Sequence, residues 1–412
     1  MIDTRVLGAA LQGKSARTGI YRYTHELLLA LLDQQMQLRL HLLICPFQPL
    51  KHLRILNLHL ASGDLAGVPR VGAWLTLLLA WLSPSLPCLD IKALRWTTRK
   101  IDTFLLYLWS MQWPRLVLHL PYFGLPQSIR GERWRVVSTI HDLIPLVHPE
   151  WFPESVINSV SINLREAVLS TAILVTSNAT RRDLMRLFPS LNPSLVHMAP
   201  LAASRHFSPL ASDNSSNFRF RHGIDDDATI LLTTCANYPY KNFKTLLLAF
   251  RRLLLCAKTS IPLRLIVVGA DVCFAKSLKA QVKALGLELN ILALGFLADD
   301  ELRLAYCNAS VFVYLSLYEG FGLSVIEAMA CGCPVICSNT TSLPEVAGHA
   351  ALQVDPLDDQ AVSLAMERLL FDTSEYHSRS KLSLQQARKF SWEKTASTTI
   401  EVYRKAAMFQ HL

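Results

Sequence analysis

The sequence predicts an α/β chain made of two parallel-sheet domains. Three observations carry this reading. Short, continuous apolar runs alternate with helical segments along the whole chain. One stretch near the middle is rich in Ser, Asn, Asp and Pro and continues no apolar period. The 412 residues exceed one ordinary core and suit two domains of roughly 150–200 residues.

The elements follow in order. After a short apolar start, "GKSARTGIYRYTHELLLALL" reads as an amphipathic helix. The runs at 38–45, 135–143, 172–178, 229–237, 263–270, 290–296, 310–316 and 334–339 read as strands. They are mostly apolar rather than alternating, as expected of parallel strands covered on both faces. Ligands of such sheets gather beyond the carboxyl ends of the strands. The break at 200–227 sets a first domain at 1–203 and a second at 204–385. A final helix follows within 386–412. Trp392, Ala396, Thr399 and Tyr403 fall on one of its faces.

Half the residues, 51%, are apolar and 18% are charged, so the chain carries no disorder signature. The net charge of +9 favours anionic partners such as phosphates. No Arg-rich arm, RNA-binding aromatic motif or zinc-finger spacing is present, and nucleic acid is not an expected partner. The nine cysteines form an odd set, several within apolar runs, and read as core residues of a reducing compartment. Cys331, Cys333 and Cys337 do not follow a standard zinc spacing, so core packing is expected there and no metal site.

The first residues include Asp3 and Arg5 and lack a leader pattern, which points to a cytoplasmic setting. The most apolar stretch is 71–89. Pro84 and Pro87 limit it to about 12 apolar positions, against the ~20 of a spanning helix. A buried or interfacial helix is expected there.

"YEGFGLSVIEAMACGCPVI", residues 318–336, carries the chemistry. A strand ends before it, and a helix begins at Leu323. Gly320 and Gly322 allow backbone angles closed to other residues and a close approach by a ligand. The helix N-terminus presents unpaired N–H groups and a positive dipole end, which suits a phosphate. Glu327, one turn in, suits a vicinal diol such as ribose. Glu319, in the turn, suits a second polyol. The bland alternative is an exposed turn acid and a helix-terminal charge.

This run resembles the E-x7-E signature of glycosyltransferase family 4, the retaining enzymes of GT-B fold. "CANYPYKNF" (235–243) resembles that family's lysine loop, and "SLPEVAGHAAL" follows the signature as the family's pattern does. "FSWEKTA" resembles the terminal helix that crosses back to the first domain. "TGIYRY" and "STIHDLIPLVHPEWFP" resemble the bacterial mannosyltransferase-like branch. The resemblance implies two Rossmann-like domains with an interdomain cleft.

It also implies residue roles. His141 and Glu319 would be catalytic and would hold the transferred sugar. Phe321, Gly322 and Leu323 would offer backbone amides to sugar and phosphate. Glu327 would bind the ribose. Lys241 would neutralise the leaving diphosphate, with no metal required. Gly19 would lie in the loop closing on the diphosphate. Asn237 stands where family members often carry an arginine. Tyr21 stands in a loop that usually reads G-I-G-R-Y and would crowd or reshape it. Ser324 replaces the usual proline.

The function implied is transfer of a hexose, with GDP-mannose as the expected donor. The acceptor would be a lipid-linked glycan or polysaccharide of bacterial surface glycan synthesis. The basic charge and the tryptophans at 74, 81, 109 and 113 suit a peripheral place on the inner membrane. Rival readings are another nucleotide-sugar hexosyltransferase, a nucleotide-sugar epimerase of the same fold, and an inactive membrane-attached assembly partner. A dinucleotide oxidoreductase is disfavoured, because "VVGADVCF" lacks G-x-G-x-x-G.

Overall fold

In a computed structural model, the described residues are 2–3, 19–34, 42–43, 70–71, 116–122, 134–210, 215–234, 238–256, 261–269 and 272–408. They form two compact units. The first comprises 1–176, 180–200 and 392–412; the second comprises 177–179 and 201–391. Asn237, Cys235 and the tryptophans at 74, 81, 109 and 113 lie outside the described residues.

The first unit holds a seven-stranded sheet in the order β3-β2-β1-β4-β5-β6-β7. Its strands are β1 (Ile2–Asp3), β2 (Leu42–Leu43), β3 (Arg70–Val71), β4 (Val117–Leu120), β5 (Arg135–Ile140), β6 (Ala172–Val175) and β7 (Val196–Met198). All pairs are parallel. Ile140, Ile173 and Val175 join Leu164 and Leu184 from flanking helices in one core. β6 is apolar and buried at every position, and β4 and β5 are buried beyond their first residues, with His119, Ser138 and Thr139 among the buried side chains.

The chain's last helix, Trp392–Met408, belongs to this first unit and packs against the Gly19–Asp33 helix and β5. The face read from sequence is the buried one: Trp392, Ala396, Thr399 and Tyr403 are all in the core. Gln34 Nε2 donates to the Glu393 carbonyl at 2.7 Å. Thr395 Oγ1 donates to the Pro200 carbonyl at 2.5 Å.

The second unit holds a six-stranded parallel sheet in the order β10-β9-β8-β11-β12-β13. Its strands are β8 (Thr229–Thr234), β9 (Leu263–Val268), β10 (Ile291–Leu294), β11 (Val311–Tyr314), β12 (Val335–Ser338) and β13 (Leu352–Val354). Helices Phe243–Cys256 and Asp359–Phe371 close one face over Leu231, Leu265, Val313 and Ile336. β11 and β12 are buried at every position, whereas the edge strand β10 is not. The strand order reverses between β8 and β11, which pair directly. In doubly wound sheets this reversal opens a crevice at the carboxyl ends of the two strands.

Cys331, Cys333 and Cys337 are buried, in keeping with core packing. Cys256 is exposed at the end of its helix, against the sequence expectation for it.

Candidate functional site

Lys241 and Glu319 reach the reversal point from its two sides. Lys241 closes a short 3-10 turn, Pro239–Lys241, that follows β8. Glu319 lies five residues beyond the end of β11, whose last residue is Tyr314. Their side chains meet: Lys241 Nζ donates to Glu319 Oε1 at 2.6 Å. The two side chains retain 14% and 12% exposure, so solvent weakly screens the pair. Tyr314 completes the cluster. Its hydroxyl accepts from Lys241 Nζ at 2.7 Å and donates to Glu319 Oε1 at 2.8 Å. The ammonium also lies about 5 Å from two ring centroids, 5.1 Å from Tyr240 and 5.0 Å from Tyr314, within cation–π range.

Both loops are pinned by their own residues. Asn242 adopts the left-handed conformation, φ 51°, which asparagine tolerates better than most residues. There its Nδ2 donates to the carbonyls of Leu315 (3.2 Å) and Pro356 (2.6 Å). The Leu317 N–H donates to the Tyr240 carbonyl at 2.7 Å, joining the lysine turn to the glutamate loop. Three hydroxyls after β12 hold the other side. Thr340 bonds the Leu317 carbonyl, Thr341 accepts the Glu319 N–H, and Ser342 bonds the Glu319 carbonyl, all at 2.9–3.1 Å.

Gly322 sits at φ +99° as the N-cap of the Leu323–Ala330 helix. A Cβ there would lie 2.6 Å from Leu343 Cδ2, so both conformation and space demand glycine. Gly320 does not use the left-handed region, so the conformational freedom expected of both glycines is used at Gly322 alone. No side chain caps this helix. The Val325 and Ile326 N–H groups turn to the Gly322 carbonyl, at 3.0 and 3.4 Å; a helix N-terminus of this kind suits an anion. Phe321 is buried, edge-on to Phe390 with centroids 5.7 Å apart.

Glu327 is 1% exposed. It is therefore not the solvated helix charge of the bland alternative. Tyr306 Oη approaches its Oε2 at 3.4 Å, a long hydrogen bond. A carboxylate held this deep needs polar partners, and the Tyr306 hydroxyl is one of them.

The remaining candidates lie in the first unit. Gly19 is the first residue of the Gly19–Asp33 helix, so it enters a helix rather than standing within a loop. Tyr21 is inside that helix, 8% exposed and stacked on His25 at 5.8 Å. His141 follows β5 and donates from Nε2 to the Pro121 carbonyl at 2.8 Å. Nδ1 is then the acceptor nitrogen. Burial holds its pKa down to about 4, against the opposing effect of the Pro121 bond. The imidazole is neutral near pH 7. Thr176 and Thr180 hydroxyls bond the His141 carbonyl at 3.0 and 3.1 Å, and the Tyr23 ring meets the imidazole edge-on at 4.7 Å.

Behind His141 runs a buried polar chain that sequence reasoning missed. Tyr23 Oη bonds Thr139 Oγ1 at 2.8 Å, Thr139 Oγ1 bonds His119 Nε2 at 2.8 Å, and His119 Nδ1 bonds Tyr403 Oη at 2.6 Å. It ties the Gly19–Asp33 helix, β5, β4 and the last helix together. Burial pushes the His119 pKa down to about 3. Tyr314 was missed as well. Its signal was a lone tyrosine closing an apolar strand five residues before Glu319.

Comparison with known proteins shows the family and the fold. The profile of the family described as "Glycosyl transferases group 1" matches residues 214–389, the region that holds Lys241, Glu319 and Glu327. The O-antigen chain mannosyltransferase B of Escherichia coli is 34% identical over 289 residues, covering 70% of this chain and 74% of its own. Sucrose-phosphate synthase of Thermosynechococcus elongatus superposes with a TM-score of 0.67 at 19% identity, over 98% of this chain and 97% of that one. Anabaena HepE, solved in complex with UDP and glucose, gives a TM-score of 0.66 at 16% identity, over 93% and 95%. The likeness to these solved structures is one of fold, the GT-B arrangement of two parallel-sheet domains. Among the described residues, no helix is long and apolar enough to cross a membrane.

Proposed function

Because the chain belongs to the group 1 glycosyltransferases, the family-4 type of GT-B fold, we propose that it transfers mannose from GDP-mannose with retention of anomeric configuration. The acceptor in this reading is a lipid-linked glycan or polysaccharide of bacterial surface glycan synthesis, met at the cytoplasmic face of the inner membrane. The similarity to an O-antigen mannosyltransferase supports the sugar and the acceptor class. The net charge of +9 suits an anionic donor and an anionic lipid surface.

The observation that carries the reading is the Lys241–Glu319 pair at the strand-order reversal. An ammonium on one loop and, four residues past Glu319 on the other, the start of an uncapped helix are both suited to a diphosphate. The diphosphate draws Lys241 away from Glu319. The lysine and the backbone amides of Phe321, Gly322 and Leu323 then stabilise the charge that builds on the leaving diphosphate. Glu319, released from the lysine, holds hydroxyls of the transferred sugar. Glu327 accepts from the ribose hydroxyls. His141, neutral, offers Nδ1 as an acceptor to the sugar. The acceptor hydroxyl attacks the anomeric carbon on the face the diphosphate leaves, and its proton passes to a departing phosphate oxygen. Lysine and helix amides supply the positive charge, so no metal is required in this scheme.

The test is calorimetric titration with GDP, UDP, ADP and dTDP in the presence of a chelator. Micromolar-class binding of GDP is expected. Preference for another base would remove GDP-mannose, and dependence on a divalent ion would remove the metal-free scheme. Binding of none would remove the donor site altogether.

A further inference from the structure

Tyr314 touches both charged groups of the site, and the resemblance assigns it nothing. Its position is rigid. It ends a fully buried strand, is 6% exposed, and stacks on Phe312 with centroids 5.7 Å apart and planes 21° apart. Its hydroxyl has one hydrogen to donate. The arrangement spends it on Glu319 Oε1 and takes the Lys241 proton on its lone pair. Glu319 Oε1 is thus held by two donors, one mobile and one fixed. Lys241 sits at the end of a flexible four-carbon stem. Tyr314 cannot move without disturbing β11.

A diphosphate arriving at the helix N-terminus competes with Glu319 for the ammonium. Once the lysine leaves, the carboxylate keeps the tyrosine as its fixed donor. We propose that Tyr314 is the positioning residue of the donor site: it holds Glu319 in the orientation that reads the transferred sugar, with or without Lys241. This rests on the donor-site reading above and deepens it. The consequence is a division of labour. Lys241 and the helix end carry affinity for the nucleoside diphosphate. Tyr314, through Glu319, carries the added affinity for the sugar.

The test compares each nucleoside diphosphate with its hexose conjugate by calorimetry: GDP with GDP-mannose, and UDP, ADP and dTDP with their glucose conjugates. Tyr314→Phe removes only the hydroxyl. For the base that wild type selects, the variant is expected to bind the nucleoside diphosphate within about twofold of wild type and the conjugate about tenfold more weakly, the size expected for a hydrogen bond to a charged group. Glu319→Gln should show the same split. The double variant should lose no more than the larger single loss, because both act on one contact. Equal weakening of both ligands, no weakening of either, or additive losses would overturn the assignment of Tyr314 while leaving the donor site intact. If wild type binds no nucleotide, the donor-site reading itself fails and this assignment falls with it. A melting temperature measured on each variant separates these outcomes from general unfolding, which would weaken both ligands alike.

Discussion

Lys241 and Glu319, 78 residues apart in the chain, form an ion pair of 2.6 Å at the point where the second unit's sheet reverses its strand order. Sequence reasoning assigned the two residues to different parts of one ligand, the diphosphate and the sugar. The structure shows them holding each other. A cation and an anion left partly exposed and bonded together form a site whose charges are already compensated, and an incoming ligand must exchange one partner for another.

Lys241→Ala should therefore weaken nucleoside diphosphate binding by about 10- to 100-fold, the range for hydrogen bonds to charged groups. The wild-type affinity should fall with added salt, and the variant's should fall less steeply. Titrations at two ionic strengths check both statements. An unchanged affinity in the variant would show that the lysine serves only Glu319.

Glu327→Gln keeps the shape of a side chain that is 1% exposed and removes its charge. Binding of a nucleoside diphosphate should weaken by more than about tenfold. The matching 2′-deoxynucleotide should discriminate little between variant and wild type. Equal losses for both nucleotides would place Glu327 in the fold and not on the ribose.

Gly322→Ala should destabilise the second unit by about 1–3 kcal/mol, the usual cost of a side chain held at positive φ, with the Leu343 clash added. A urea unfolding curve measures it. A variant as stable as wild type would mean that the loop relaxes, and its nucleotide affinity would then report on the helix N-terminus directly.

Acid stability carries a sign that follows from two histidines. Burial lowers His119 to about 3 and His141 to about 4, from the ordinary ~6.5 of the unfolded chain. Below that value the unfolded chain takes up protons that the native state refuses. Their contribution is complete above about pH 6.5 and is lost as pH falls towards about 4 for His141 and about 3 for His119. The unfolding midpoint should drop over that window, and His141→Asn should reduce the slope. A midpoint independent of pH there would mean that the histidines are protonated in place.

Tyr403→Phe removes one end of the chain Tyr23–Thr139–His119–Tyr403 and leaves a His119 ring nitrogen without its bond. A loss of about 1–3 kcal/mol is expected for a buried polar group deprived of its partner. Near-neutral stability would mean that His119 finds another partner.

Much of the molecule was legible in the sequence, and for physical reasons. Strands covered on both faces are largely apolar on both, so β5, β6, β8, β9, β11 and β12 stood out as runs. The helix after the glycine turn begins at Leu323, where the pattern placed it. The buried face of the last helix followed from its 3.6-residue period. Gly322 was readable because only glycine serves where φ is +99°. Residue type and spacing declare such local demands, and they brought Glu319, Phe321, Gly322, Leu323 and Glu327 onto one loop and helix.

The tertiary structure decided what depends on partners distant in sequence. Spacing cannot say that Glu319 meets Lys241, because that contact needs β8 and β11 to pair across intervening βα units. Nor can it say that Tyr314 lies between them, that Glu327 is buried, or that Tyr21 is buried and stacks on His25. Burial and ion pairing are properties of the space that packing leaves around a side chain. The sequence by itself determined the two parallel-sheet domains and the kind of groups at the site. The pairing of those groups, and the charge each presents to a ligand, came only with the folded arrangement of the strands that carry them.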